Sequence, residues 1–151
     1  MSPPVSPRSS TPSPALAVLS VINRARAAQG LLAYTMVNGL IGSATAHDGV
    51  MSDGCGLSHQ CPGEAELGVR ETVQGVAWTS AGENIGEASE IGSSAQDIAS
   101  AAVSLTRSML NEQPPDDGHR QNILSASFRR IGIAVHQDAD GTVWLTQDFS
   151  G

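Results

Sequence analysis

Two runs near the C-terminus keep a strict period of two: Ile131, Ile133 and Val135, then Val143, Leu145, Gln147 and Phe149, with Asp140-Gly141 between them. Alternation of this kind on both sides of an Asp-Gly turn predicts a β-hairpin. His136 is out of phase with the apolar set and close to the turn, so it is expected in solvent and without a role. Upstream the periodicity is helical, and no repeated β-α-β alternation occurs. Helices followed by strands favour an α+β fold built around an antiparallel sheet.

Three helices are predicted ahead of the hairpin. Ser13-Pro14 reads as an N-cap followed by proline at the first helical position. Leu19, Ile22 and Ala25 continue at helical spacing until Gly30 stops the run. A second helix is expected over residues 35–51, with Met36, Leu40, Ala44 and Met51 as its apolar stripe and His47 on the same face. A histidine so placed is more often a packed, hydrogen-bonded core residue than a ligand, so His47 is assigned to the surroundings of a site. Residues 52–92 are rich in glycine and read as loops with at most short strands. Ser94-x-x-Asp97 has the form of a capping box that opens the third helix, with Ile98, Ala102, Leu105 and Met109 inward.

That stripe, continued, reaches Glu112. A carboxylate on an apolar face at a helix C-terminus is disfavoured by desolvation and by the helix dipole. Either the helix ends earlier and leaves Glu112 in solvent, or Glu112 turns into a polar cavity with His119, seven residues on. Pro114-Pro115-Asp116-Asp117 forces the turn that would bring the two together.

With 151 residues the chain is long enough for one domain with a real core. Aromatics are only 3%, so aliphatic side chains and alanine must fill that core. The formal charge is −7, and every basic side chain is an arginine. Without a basic cluster, binding to nucleic-acid phosphates or docking on anionic membrane is not expected. No apolar run approaches the length of a transmembrane span. Met1 to Pro14 are mostly Pro, Ser and Thr and are expected to form a disordered tail ahead of a domain at 15–151. They have neither the basic start nor the apolar stretch of a secretory leader.

Two segments place a metal-ligating or proton-transferring group directly after a glycine: Gly82-Glu83-Asn84-Ile85 and Gly118-His119-Arg120-Gln121-Asn122-Ile123-Leu124. His59 lies between Cys55 and Cys61, the only two cysteines. These cannot make a four-thiolate zinc site. They can make one disulfide, or remain two reduced thiols.

"SAGENIG", "DDGHRQNILSASFRRIGIAV" and "VWLTQDFS", in that order, resemble the SCP or CAP superfamily of cysteine-rich secretory proteins, antigen 5 and pathogenesis-related proteins, and its bacterial branch in particular. Weaker matches are "VLSVINRARAAQGL", "ATAHDGVM" and "LSHQCPGE", so the resemblance covers roughly residues 15 to 150. It implies a three-layer α-β-α sandwich. It favours a Cys55–Cys61 disulfide that clamps the His59 loop, because the family is largely extracellular. It implies a central cavity with metal-binding histidines at His59 and His119 and an acid at Glu83. A second acid at Glu112 rests on aligning Met109-Leu110-Asn111-Glu112 with the family's Trp-Tyr-x-Glu segment, whose aromatics are missing here.

Two neutral imidazoles suit a borderline-soft divalent ion, zinc above all, with open positions for water or substrate. Glu83 and Glu112 beside a metal-bound water are the candidate catalytic groups, able to orient it or take its proton. The expectation is an exported bacterial protein, located outside the cell or in its envelope, that binds a metal and a glycan, peptide or lipid ligand. A metal-dependent hydrolase with Glu83 or Glu112 as general base, and a structural interaction domain with a vestigial cavity, stand as alternatives. No Ser-His-Asp order, nucleophile elbow, HExxH motif or phosphate loop points elsewhere.

Overall fold

A computed structural model describes residues 13–151. The expected tail lies outside the described residues except for its last two. Ser13 caps α1 (Pro14–Ala28) by accepting from the Leu16 N–H, and Pro14 is its first residue. Gly30, at φ 72°, ends it as expected.

The remaining elements are β1 (Thr35–Met36), α2 (Asn38–Val50), α3 (Leu67–Val73), β2 (Ala81–Ala88), α4 (Ala95–Leu110), α5 (Gly118–Ile123), β3 (Arg130–Gln137) and β4 (Val143–Ser150). The strands form one sheet in the order β1-β3-β4-β2. β4 is antiparallel to both of its neighbours, β3 and β2, and β1 adds two parallel residues beside Arg130 and Ile131. Helices cover both faces, giving the α-β-α sandwich and the α+β class. No helix among the described residues is long and apolar enough to cross a membrane.

β4 runs through the middle, and all eight of its residues are buried. Its Leu145 and Phe149 join Val18, Ile22, Ala102, Met109, Ile131 and Ile133 in the main core, between the sheet and the α1–α4 layer. Trp144, Thr146 and Asp148 face the α2–α3 layer, where Trp144 packs with Met51, Cys61 and Ile85 and the rest of the contact is polar. Thr146 Oγ1 donates to Asp48 (2.6 Å), and Ser43 Oγ donates to Asp148 (2.7 Å). The hairpin thus alternates as predicted, but its second strand has no solvent side.

Three expectations need correction. The second helix begins at Asn38 rather than 35, because Thr35 and Met36 are drawn into the sheet. It runs on through a wide helical turn, Met51–Cys55. Residues 52–92 are not only loops and short strands: they hold α3 and the eight-residue β2, every residue of which is paired with β4. The third helix, α4, is capped by Ser94 as expected but stops at Leu110, two residues short of Glu112.

Candidate functional site

Strand β2 forms one edge of the sheet, and alternation along it sends neighbouring side chains into opposite layers. Glu83 is directly opposite Asp148 and faces the α2–α3 layer. Asn84 is directly opposite Gln147 and faces α4 and α5, where it donates to Gln147 Oε1 (3.0 Å) and to the His119 carbonyl (3.1 Å). The edge between the two layers opens a cleft of about 480 Å³ that His59, Glu83, Glu112 and His119 all line. The four residues marked out by local sequence patterns therefore meet, although 60 residues separate the two histidines.

Each histidine is tethered by a carboxylate. His59 Nδ1 lies 3.0 Å from Glu83 Oε1, and His119 Nδ1 lies 2.6 Å from Glu112 Oε2. A carboxylate can only accept in such a bond, so Nδ1 carries the hydrogen and a neutral ring keeps its lone pair on Nε2. Among the described residues neither Nε2 has a hydrogen-bond partner. The side chains are 59% and 35% exposed, so both rings are reachable from solvent. Carboxylate-backed imidazoles of this kind are the usual surroundings of a metal-binding histidine.

The carboxylates themselves are heavily committed. Burial alone would raise the Glu83 carboxyl, but hydrogen bonds from His59, Asp148 and Arg70 outweigh it and hold the group at about 2. Arg70 grips both oxygens, with Nη1 at 2.9 Å and Nη2 at 3.2 Å. Asp148 is pushed well above the ordinary carboxyl range by burial and by the neighbouring Glu83 charge, so it keeps its proton and donates it to Glu83. Glu112 accepts from the backbone N–H groups of His119 (3.0 Å) and Arg120 (3.2 Å) as well as from the His119 ring. It thus joins the cavity although α4 ends before it, because it is held by the first turn of α5.

His47 is fully buried, and both ring nitrogens face acceptors: Glu64 Oε2 at 2.7 Å and the Ser58 carbonyl at 2.8 Å. With no free nitrogen it supports the site from behind, 3.6 Å from Glu83 Oε1. Cys55 and Cys61 form the disulfide, with Cα atoms 5.8 Å apart. The His59 loop has further anchors: Arg70 donates to the His59 carbonyl (3.0 Å), and Glu64 accepts from the Cys61 N–H (3.0 Å). His136 is exposed, as expected.

Sequence reasoning missed Arg70, Glu64 and Asp148. Glu64 left a faint signal, three residues after Cys61 in a Cys-Pro-Gly-Glu turn. Asp148 is visible only once the β2–β4 register is known, and Arg70 only once α3 exists.

A metal suits the donor set in part. Among the described residues no group of three or more His, Cys, Asp or Glu side chains is arranged to hold an ion. The chain would offer His59 and His119, with water or ligand completing the coordination.

Among curated proteins none matches this sequence. Solved structures do. An extracellular protein containing an SCP domain from Bacillus anthracis str. Ames is 24% identical with a TM-score of 0.69 over 99% of this chain, which spans 45% of that protein. An outer surface protein of Borrelia burgdorferi is 13% identical with a TM-score of 0.75, over 93% of this chain and 94% of that one. NaASP2, solved with Zn2+, is 13% identical with a TM-score of 0.64, over 95% and 82%. The cysteine-rich secretory protein family, CAP, matches residues 19–149. The chain belongs to the CAP family.

Proposed function

We propose that this domain binds a divalent metal, zinc by the chemistry of its donors, through Nε2 of His59 and His119. The surrounding cleft would take a ligand found outside the cell or in its envelope. The observation that carries this reading is the pair of carboxylate tethers: Glu83 and Glu112 fix both rings by Nδ1 and leave the ligating nitrogens free. A bound ion would polarise a ligand oxygen. The extracellular protein of Bacillus anthracis, the Borrelia outer surface protein and the zinc-bound NaASP2 support the setting and the metal. Asn84, Gln121 and Asn122 give the cleft a polar lining suited to a glycan or peptide more than to an acyl chain.

The hydrolase alternative asks Glu83 or Glu112 to take a proton. Glu83, held at about 2 by Arg70 and its other partners, is a weak base, and Glu112 already accepts three hydrogen bonds. Both are better suited to orienting a histidine than to general-base work.

The test is zinc titration calorimetry on protein purified without an affinity tag. His119→Ala or His59→Ala should abolish measurable binding. Glu83→Gln and Glu112→Gln should each weaken it by about 10- to 100-fold, as for partners that orient a ligand. Zinc affinity unchanged by His119→Ala rejects the metal reading. Loss on His119→Ala with no effect of either glutamine variant rejects the role assigned to the carboxylates.

A further inference from the structure

Arg26, in the last turn of α1, is 2% exposed and carries a charge that no acid answers. Among the described residues Arg70 is the only arginine paired with a carboxylate, and the other unpaired arginines keep part of their surface in water. Arg26 has carbonyls instead. Its Nε donates to Leu32 (2.7 Å), and its Nη1 donates to Ile123 (2.9 Å) and Ser125 (2.8 Å). The guanidinium carbon lies 3.6 Å over the centre of the Tyr34 ring. Tyr34 is no counter-ion, because burial pushes its hydroxyl up to about 12 and that hydroxyl donates to the Asn122 carbonyl (2.7 Å). These partners orient dipoles towards the cation but bring no negative charge. A buried charge is normally paired, so its missing anion calls for an explanation.

One corner of the guanidinium is left over. Nη2 has no hydrogen-bond partner among the described residues, and it is not sealed from solvent. Arg26 opens there on a cavity of about 380 Å³, at the small end of ligand pockets, between the end of α1, the turn into β1 and the segment ahead of β3. Arg129 also lines it, exposed and without an ion pair among the described residues, and no Asp or Glu does. Leu31, Leu32 and Phe128 supply apolar walls. In a chain with a formal charge of −7 this is a locally positive cavity with a hydrocarbon lining.

We propose that this cavity binds the carboxylate of a small aliphatic acid, held by Nη2 of Arg26 and the Arg129 guanidinium, with its hydrocarbon against Leu31, Leu32 and Phe128. The acid is a free molecule or the C-terminal residue of a peptide, since both present the same group. Charge-assisted hydrogen bonds from two guanidiniums select the anion. The apolar walls favour an anion that carries hydrocarbon over inorganic phosphate. Residues 1–12 of the chain cannot supply the missing charge on a side chain, because they contain Arg8 but no Asp or Glu. None of the cavity's residues lines the histidine cleft, so the site does not rest on the proposed metal.

The test is an NMR titration of the metal-free full chain that follows backbone amides and the arginine Nε–H signals. Isocaproate should shift the Leu32 and Ala126 amides and the Arg26 Nε–H. Neutral isocaproamide, and acetate with its shorter body, should each bind at least about tenfold more weakly. Arg129→Gln should weaken isocaproate binding by about tenfold. Leu32→Asp, at a side chain 78% exposed, sets a carboxylate at the mouth and should abolish it. Both variants should keep the parent melting temperature, which leaves Arg26 and its carbonyl bonds untouched. Acetyl-Ala-Leu separates the two sources: binding tighter than that of isocaproate assigns a peptide terminus, weaker binding assigns a free acid, and either upholds the site. Absent shifts, equal shifts with isocaproamide, shifts confined to the histidine cleft, or binding unchanged in both variants would leave Arg26 a structural residue and overturn the proposal. Shifts seen only after deletion of residues 1–12 overturn it as well, because the cavity is then covered in the full chain. Inorganic phosphate binding as tightly as isocaproate overturns the assigned ligand class.

Discussion

Arg70 and His59 both touch Glu83, yet the physics of the two contacts differs. The Arg70 and Glu83 side chains are 9% and 2% exposed, so neither charge has water to replace its partner. Arg70→Met should therefore strand the Glu83 carboxylate and lower stability by about 3–5 kcal/mol, read from denaturant unfolding. The His59 side chain is 59% exposed and can rehydrate when its bond is lost. His59→Ala should change stability by no more than about 0.5 kcal/mol while removing zinc binding. A large stability loss in His59→Ala would mean that the ring serves the fold, and the structural alternative for the cavity would gain. The Glu83 carboxylate is thus pinned by a buried guanidinium and lends its remaining acceptor capacity to an imidazole at the surface.

At the level of elements, close approach decides much of the packing. A Cβ on Gly132 would lie 2.0 Å from the Leu40 carbonyl carbon, because α2 crosses β3 with its backbone almost in contact. Gly132→Ala must push α2 off the sheet, and with it His47, Asp48 and Ser43. A loss of about 3 kcal/mol or more is expected in thermal unfolding, at the upper end for overpacking. An unchanged melting temperature would mean that α2 shifts freely. The disulfide belongs to the same scale. It closes a loop of six residues' separation, for which chain entropy gives about 2 kcal/mol. Cys55→Ser with Cys61→Ser should cost about that much in denaturant unfolding and leave zinc affinity within a few-fold, because Arg70 and His47 still hold the His59 loop. Loss of zinc binding in the double variant would show that the clamp, and not these hydrogen bonds, presents His59.

The elements readable from the sequence are those whose cues are local. Ser13-Pro14 and Ser94 with Asp97 mark helix starts through their own hydrogen bonds, and the hairpin carries its period and its turn within twenty residues. β2 escaped because Ala81-Gly82-Glu83-Asn84-Ile85-Gly86-Glu87-Ala88 has little intrinsic strand preference; pairing with β4 along its whole length makes it a strand. α3 has seven residues, too few for periodicity, and no side-chain cap at Glu66. The site divides in the same way. His59, Glu83 and His119 stood out in short motifs, and Glu112 stood out as a misfit on an apolar stripe. Arg70 and Asp148 act on Glu83 only through the sheet register and a helix that no local pattern announces.

Across the molecule, the α2–α3 face of the sheet buries carboxyl groups in a way that ties stability to pH. Burial, with a smaller contribution from the Glu83 charge, pushes Glu71 up to about 8, and neither of its oxygens has a hydrogen-bond partner. Asp48 is likewise raised to about 8. The folded charge at neutral pH is therefore less negative than the formal −7. In the unfolded chain these groups ionise near their ordinary values of 4.5 and 3.8. Between those values and about 8 the folded chain binds more protons than the unfolded one, so stability must fall as the pH rises through that window. Each group contributes a slope of at most about 1.4 kcal/mol per pH unit. Glu83 has the opposite sign: held at about 2, it stabilises the fold above its ordinary 4.5, and that contribution is lost as the pH falls towards 2. The stability optimum should therefore lie near about pH 4 to 5, below the usual neutral range. Melting temperatures measured from pH 3 to 9 in one buffer series check this, with a decline expected from pH 5 to 8. Glu71→Gln, which keeps the shape and removes the titration, should flatten that decline by roughly the share of one of the three raised carboxyls, Asp48, Glu71 and Asp148. A melting temperature that is level or rising from pH 5 to 8 would mean that Asp48 and Glu71 ionise within the fold. A slope unchanged in Glu71→Gln would assign the decline to Asp48 and the dyad of Asp148 with Glu83.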